Sequence, residues 1–487
     1  MANIKQMKKL IYAGVAILVL SYGCTKDFDK LSQNPNAIKQ GSAATLLSQT
    51  VYNGLVSRIR VARAVGNELM GYTVNKNERA YTQRFDIRNT LGNDLWNRHY
   101  TTLNNVEDMY NKAIAEGNVN YQAVALTLKA WLVSELTDTF RDVPYFEASK
   151  GDGLNFLPAY DTQEEIYRDL LENLDRAALL FDNSKTMLAE GDILYGSKGS
   201  NTLQVSAWRK FCNSLRLRLY LRVSNVPEFN GPAKINEIVN NSSVYPIFAN
   251  AADQAYIPFT NQEPLYNPYY NATSGDFGVL YAPSTTILEM LQDTSDPRLS
   301  QYYTRAVSAW TGIKSGFPSG VLGEITAGGT SYVNYNLHDS PRFGVIMNYD
   351  EVQFILAEAA LKGWINTGTT AATYYQQGIR SNFEFWGLTP SSTYLNTNGV
   401  AFDNTLEIIM KQKYLASFYR GLEAWFEYRR TGYPQLLIDA RADNNAIVPS
   451  RLLYPTVTQT YNPTNYKKAV ARMGGDNINV KSFWEKP

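Results

Sequence analysis

The chain has 487 residues, with 46 Lys and Arg against 45 Asp and Glu and a formal net charge of +1. That balance gives no electrostatic reason to bind nucleic acid or an anionic surface, and a body this long can bury a core without disulfides. Two cysteines and two histidines leave little for a Cys/His metal site, whereas 34 tyrosines in a mostly polar chain put many flat rings at the surface.

Lys5, Lys8 and Lys9 precede an unbroken apolar run from Leu10 to Leu20, and Ser21-Tyr22-Gly23 leads into Cys24. A cationic start, a short apolar stretch and a small residue at the cut make residues 1–23 a secretory signal. The run falls short of the roughly 20 apolar residues that span a bilayer. Met7-Lys8-Lys9 opens a complete signal as well as Met1 does. Gly23-Cys24 fits a bacterial lipobox, although Ser21 stands where that pattern usually has Leu. Acyl chains contribute about 0.8 kcal/mol per buried CH₂, so a multiply acylated Cys24 is a durable anchor. Residues 24–40, with the turn Asn34-Pro35-Asn36, read as a polar tether, and residues 41–487 as one large domain.

Helical spacing dominates that domain. It predicts helices over residues 46–70, 94–116, 120–140, 161–181 and 203–225, then 349–364, 370–386, 404–418 and 421–428. The fourth opens with a capping box, Thr162 and Glu165, and sets Ile166, Leu170, Leu174, Ala177 and Phe181 on one stripe. Cys212 falls in the apolar run of the fifth and reads as a small buried hydrophobe. The expected fold is mainly α: a single domain of tetratricopeptide-like helix pairs carrying long irregular insertions, without a visible 34-residue self-match. The insertion over 226–348 is poor in helix signals and rich in Tyr, Asn, Gly and Pro. Loop regions of that length inside a domain are usually functional.

Several motifs stand in order along the chain: Cys24-Thr-Lys-Asp-Phe-Asp29, the stretch Leu136 to Ala148 containing Asp142-Val-Pro-Tyr145, the helix Trp208 to Leu219, Gly421-Leu-Glu-Ala-Trp-Phe-Glu-Tyr-Arg-Arg-Thr-Gly-Tyr-Pro434, Arg451 to Pro455, and Trp484. Together they resemble the motifs of the SusD/RagB family. Phe140-Arg141 departs from the family's usual Tyr-Gly. The resemblance implies four tetratricopeptide-like units and an outer-membrane lipoprotein of Bacteroidota. It also implies a role at the cell surface as the lid of a SusC-like TonB-dependent porin, capturing oligosaccharides, or peptides in some branches. The charged motif residues themselves, Asp138, Arg141, Asp142, Glu427, Arg429 and Arg430, read as turn-forming and ion-pair scaffolding.

A sugar offers a C–H face to aromatic rings and a hydroxyl edge to amides. The densest match is the proline-stiffened loop 261–271, giving Tyr266, Asn267, Tyr269, Tyr270 and Asn271, followed by Phe277 and, in the next insertion, Trp310. A second candidate is the 72–85 loop with Asn75, Asn77, Arg79 and Tyr81. Trp96 and Trp208 sit on helical stripes and read as core.

Catalysis is not expected. A Ser-His-Asp triad would have to recruit His99 or His338, and no Gly-x-Ser-x-Gly or His-Glu-x-x-His is present. A glycosidase needs only two carboxylates about 5–9.5 Å apart and is the enzymatic alternative; an assembly scaffold without ligand is the other. No cofactor is expected, although Gly475-Asp476-Asn477 supplies oxygens that could hold a structural calcium ion.

Overall fold

In the computed structural model, residues 41–149, 155–187, 191–273, 277–306 and 308–486 are described. The expected signal, the expected lipidation at Cys24 and the expected tether all fall outside them. Helix α1 (Ala43–Val61) buries Leu47, Val51, Leu55 and Ile59 at four-residue spacing. It continues through one π turn, Ala62–Gly66, into the short turn Asn67–Leu69, so the expected long helix is rephased near its end. Gly66 presses on another segment there: a Cβ would sit 2.3 Å from the Gly421 carbonyl oxygen.

Helix α2 (Asn93–Ala115) and α3 (Val119–Phe140) are joined by Gly117 at φ +64°, and Asn118 caps α3 by accepting from the Tyr121 N–H. Helix α4 (Gln163–Leu180) carries the expected Thr162/Glu165 capping box, and Ser200 caps α5 (Asn201–Arg222). The 226–348 insertion is less irregular than its composition suggests, since it contains α6 (Gly231–Asn240) and α7 (Thr285–Asp293). Then come α8 (Tyr349–Leu361), α9 (Ala371–Phe385), α10 (Leu406–Ala416), α11 (Glu423–Thr431), α12 (Thr456–Tyr461) and α13 (Pro463–Met473).

Packing runs serially, α1 on α2, α2 on α3, α3 on α4 and α4 on α5, while α5 meets α8, which packs on α9 and α10. The result is the mainly α domain read from the sequence. Its central helices are buried nearly all round, which forces their charged residues to find partners inside. Arg222 pairs with Asp138 and, at 2.7 Å, with Glu423, while its guanidinium lies between Phe426 and Trp484. Arg429 donates to the Asp138 carbonyl at 2.6 Å and stacks on Trp425 and Trp484. Arg218 pairs with Glu351 at 2.6 Å, and Arg420 forks onto Asp350 at 2.6 and 2.8 Å. The charged motif residues thus tie α3, α5, α8 and α11 together; Asp142 likewise receives Arg472 at 2.7 Å.

Four short antiparallel ladders bind the insertions: Val74–Asn75 with Tyr281–Ala282, Val143–Pro144 with Tyr160–Asp161, Ala255–Tyr256 with Val345–Met347, and Tyr303–Thr304 with Tyr332–Val333.

Candidate ligand-binding surface

Three loops far apart in sequence converge beyond the C-terminal end of α1. The 74–75 strand pairs with 281–282, Lys76 N–H donates to the Leu280 carbonyl at 2.9 Å, and the Lys76 ammonium donates to Thr330 Oγ1 at 3.0 Å. The π turn contributes Arg63, whose guanidinium covers the rings of Tyr269 at 5.3 Å and Tyr281 at 4.9 Å. The described residues of the 72–85, 261–282 and 310–333 segments are therefore one connected surface.

The structure sorts the sequence candidates into two layers. Tyr266 and Tyr270 stack on one another, with ring centroids 5.2 Å apart and planes 26° from parallel; Tyr270 is 39% exposed. Asn271 is exposed beside them, in the left-handed region at φ +65°. Beneath lie residues that hold the loop. Asn267 is buried, donating to the Ser340 carbonyl at 2.9 Å and accepting from the Tyr269 N–H at 2.9 Å. Tyr269 donates to the Ile59 carbonyl at 3.3 Å, and burial pushes its phenol above the usual range despite the opposing pull of Arg63. Phe277 is fully buried between Tyr269, Phe343 and Tyr419, with centroids at 5.2, 6.2 and 5.6 Å. Asn267 and Phe277 therefore position the surface from inside, because an amide and a ring were needed to close the core under it. The alternation of buried and exposed rings within one loop has no period that a sequence could reveal.

Trp310 is half-buried at the edge of the third loop, next to Thr311, which is cross-bonded to Ser331. Tyr81 is 37% exposed, but Arg88 already covers its ring at 3.2 Å. It faces a separate cavity of about 330 Å³ whose walls include Glu78, Arg79, Arg84 and Arg441. Neither Tyr81 nor Trp310 makes a ring contact with the Tyr266–Tyr270 pair among the described residues. Tyr72, at the start of the second candidate loop, is core, stacked on Tyr414 at 4.4 Å. Arg63 and Lys76 escaped the sequence reading, since nothing local marks a guanidinium that will lie over rings two hundred residues away or an ammonium that will reach Thr330.

Both histidines are engaged by neighbouring side chains. His99 lies between Ser57 (3.2 Å from Nδ1) and Glu135 (3.3 Å from Nε2), the reverse of a catalytic triad, in which the serine faces Nε2 and the carboxylate Nδ1. All three side chains are buried, and Glu135 is already bound by Arg58 and by the Trp131 indole N–H at 3.1 Å. Burial lowers the His99 pKa to about 3, so the ring stays neutral and serves as a hydrogen-bonded core residue. His338 stacks on Tyr335 at 4.3 Å. Asp476, the acidic member of the candidate calcium loop, accepts from Arg451 at 2.7 Å and from Tyr466 at 3.2 Å. No group of three or more His, Cys, Asp or Glu residues suited to a metal occurs among the described residues.

The family model described as starch-binding associating with outer membrane matches residues 35–455. The chain belongs to this SusD-like family. Solved structures agree with that assignment across the fold. A SusD homolog from Bacteroides fragilis NCTC 9343 is 26% identical with a TM-score of 0.76, covering 92% of this chain and 100% of its own. One from Bacteroides uniformis ATCC 8492 is 25% identical at 0.78, with the same coverage of 92% and 100%. A chitin-binding SusD homolog from Flavobacterium johnsoniae shares the fold at 22% identity and 0.75, covering 91% of this chain and 97% of its own. No curated protein matches the sequence. The family is one of nutrient-binding proteins associated with the outer membrane. No helix among the described residues is long and apolar enough to cross a membrane.

Proposed function

We propose that this SusD-like chain is a cell-surface lipoprotein, anchored through Cys24, that binds an oligosaccharide or polysaccharide nutrient and passes it uncleaved to a SusC-like TonB-dependent transporter. The observation that carries the reading is the stacked, solvent-facing Tyr266–Tyr270 pair on a loop fixed from below by Asn267, Tyr269 and Phe277. Such a platform offers ring faces to sugar C–H groups with little ordering left to do on binding. The chitin-binding description of a protein with the same fold supports a glycan over a peptide. Charge supports it as well, because a near-neutral chain has no general attraction for either sign of ligand.

The test is calorimetric titration of the protein with oligosaccharide and peptide panels, with chromatography of each mixture for cleavage products. Saturable binding of a glycan without products is the expected result. Products would move attention to carboxylate pairs, and binding confined to peptides would reassign the ligand class. Co-purification of the lipidated chain with a TonB-dependent porin checks the partner.

A further inference from the structure

A second concave surface lies away from the converging loops, between α2, residues 144–149 and 155–160, and α12. Helix α2 presents Asn97, Tyr100 and Asn104 at helical spacing on one face, with both asparagine amides exposed. Behind them Trp96, 7% exposed, tilts against Tyr100 at 4.9 Å and Tyr160 at 6.3 Å. The indole expected to be pure core thus has an edge in the floor of a cleft of about 280 Å³. The floor is fixed: Tyr100 donates to the Pro144 carbonyl at 2.8 Å. The opposite wall is pinned by Asn462 to the Pro158 carbonyl at 2.7 Å and by Asn465 to the Leu157 carbonyl at 2.8 Å.

Two rings at the rim are largely bare. Phe156 is 82% exposed and Tyr461 is 74% exposed, against 39% for Tyr270. Two bare rings beside a preformed hollow offer stacking faces to a ligand that enters it. Its chemistry is specific. None of the lining side chains among the described residues is charged, and the polar ones are amides and hydroxyls such as Asn97, Asn104 and Thr458. The Tyr81 cavity is the opposite, walled by Glu78, Arg79, Asp86 and Arg441. A charged peptide, a phosphate or an acidic glycan would lose hydration in the uncharged cleft without gaining a counter-charge. A neutral sugar ring gains stacking on Phe156 or Tyr461 and amide hydrogen bonds at its edge.

We propose that this cleft is a second binding site, for one or two rings of an uncharged glycan, separate from the Tyr266–Tyr270 surface. It rests on the glycan reading of the protein and adds a site to it. Two contact points on one chain raise avidity for a long polymer over its short fragments, provided the polymer can reach both.

The experiment uses the full chain in detergent, titrated with neutral oligosaccharides of increasing length. Wild type is compared with Phe156→Ala/Tyr461→Ala, with Tyr266→Ala/Tyr270→Ala and with Tyr461→Trp. All these side chains are at least partly exposed, so unchanged melting temperatures verify folding. The expected result is that Phe156→Ala/Tyr461→Ala loses at least tenfold in one binding phase. Tyr266→Ala/Tyr270→Ala should keep that phase, and Tyr461→Trp should keep it too, with an emission change on adding sugar. Wild-type binding by Phe156→Ala/Tyr461→Ala at every length would overturn the second site while leaving the glycan reading intact. Absence of any sugar binding by wild type would overturn both. Loss of porin co-purification in that variant with sugar binding unchanged would reassign the cleft to a protein contact.

Discussion

Arg430 forks onto Glu358 through two hydrogen bonds of 2.8 and 2.6 Å, with both side chains sealed from solvent. Arg430 also reaches Glu427 at 2.8 Å, and Lys413 closes on Glu427 from α10 at 3.0 Å. This one guanidinium therefore joins α11 to α8, and through Glu427 to α10. The attraction of Arg430 and Lys413 holds Glu427 well below the usual carboxylate range although burial opposes it.

Arg430→Met is expected to destabilise the protein by about 3–5 kcal/mol, because it leaves Glu358 as a buried charge with a lost partner. Arg430→Lys should recover only part of the loss, since an ammonium cannot fork onto a carboxylate. Arg430→Met combined with Glu358→Met should cost less than Arg430→Met alone. Chemical denaturation of the three variants measures all of this, and equal losses in the single and double variants would contradict the buried-pair account.

Glu68 sets a pH dependence. It lies buried under the 72–85 loop, accepting from the Gln83 N–H at 3.1 Å, and burial pushes its pKa up to about 8. The unfolded carboxyl titrates near 4.5, so between those values the folded state holds a proton that the unfolded state has released. Stability from this group is complete below about pH 4.5 and declines as pH rises toward 8. Glu68→Gln should flatten that decline and raise stability at pH 8 by a few kcal/mol, on the order of 1.4 for each pKa unit. Melting curves from pH 4 to 8.5 check it. At the acid end both proteins should respond alike.

The helical frame was legible because periodic apolar stripes and caps are local: Thr162 and Glu165 bond as their spacing demands. Helices α6 and α7 were missed because Gly231 and Pro232 open one and both are short inside a Tyr- and Asn-rich stretch. The 46–70 helix was read as continuous, since nothing around Arg63 announces a π turn; its setting is made by Gly421, hundreds of residues away. The tyrosine loop was located by composition, yet which rings face out depends on Ser340, Phe343 and Tyr419 packing beneath it. Charged motif residues could be read as scaffold, whereas their partners, such as Glu358 for Arg430, could not.

Tyr266→Ala and Tyr270→Ala are each expected to weaken glycan binding roughly tenfold, about 1.4 kcal/mol, and to leave the melting temperature unchanged. Phe277→Ala should behave differently. Its ring is fully buried, so the variant should lose about 3–5 kcal/mol of stability and weaken binding indirectly. Titration and calorimetry on the same samples separate the two classes. A stable Phe277→Ala with normal binding would show that the lower layer does not position the upper one.

Gly344 tests how the ladder under that loop is built. Its φ is −74°, open to any residue, yet an added Cβ would stand 1.9 Å from the Ile257 carbonyl oxygen. That oxygen is backbone, and the Ile257 N–H also donates to the Gly344 carbonyl at 2.8 Å, so the two chains cannot separate without losing this bond. Gly344→Ala should therefore destabilise by about 1–3 kcal/mol or more through overpacking rather than through backbone strain. Substitution at Gly117, where φ is +64° and an added Cβ meets nothing, provides the contrast. Gly117→Asn, which tolerates the left-handed region, should be nearly neutral. Thermal denaturation of both variants distinguishes crowding from conformation, and a neutral Gly344→Ala would mean that the 257–344 contact is looser than its geometry states.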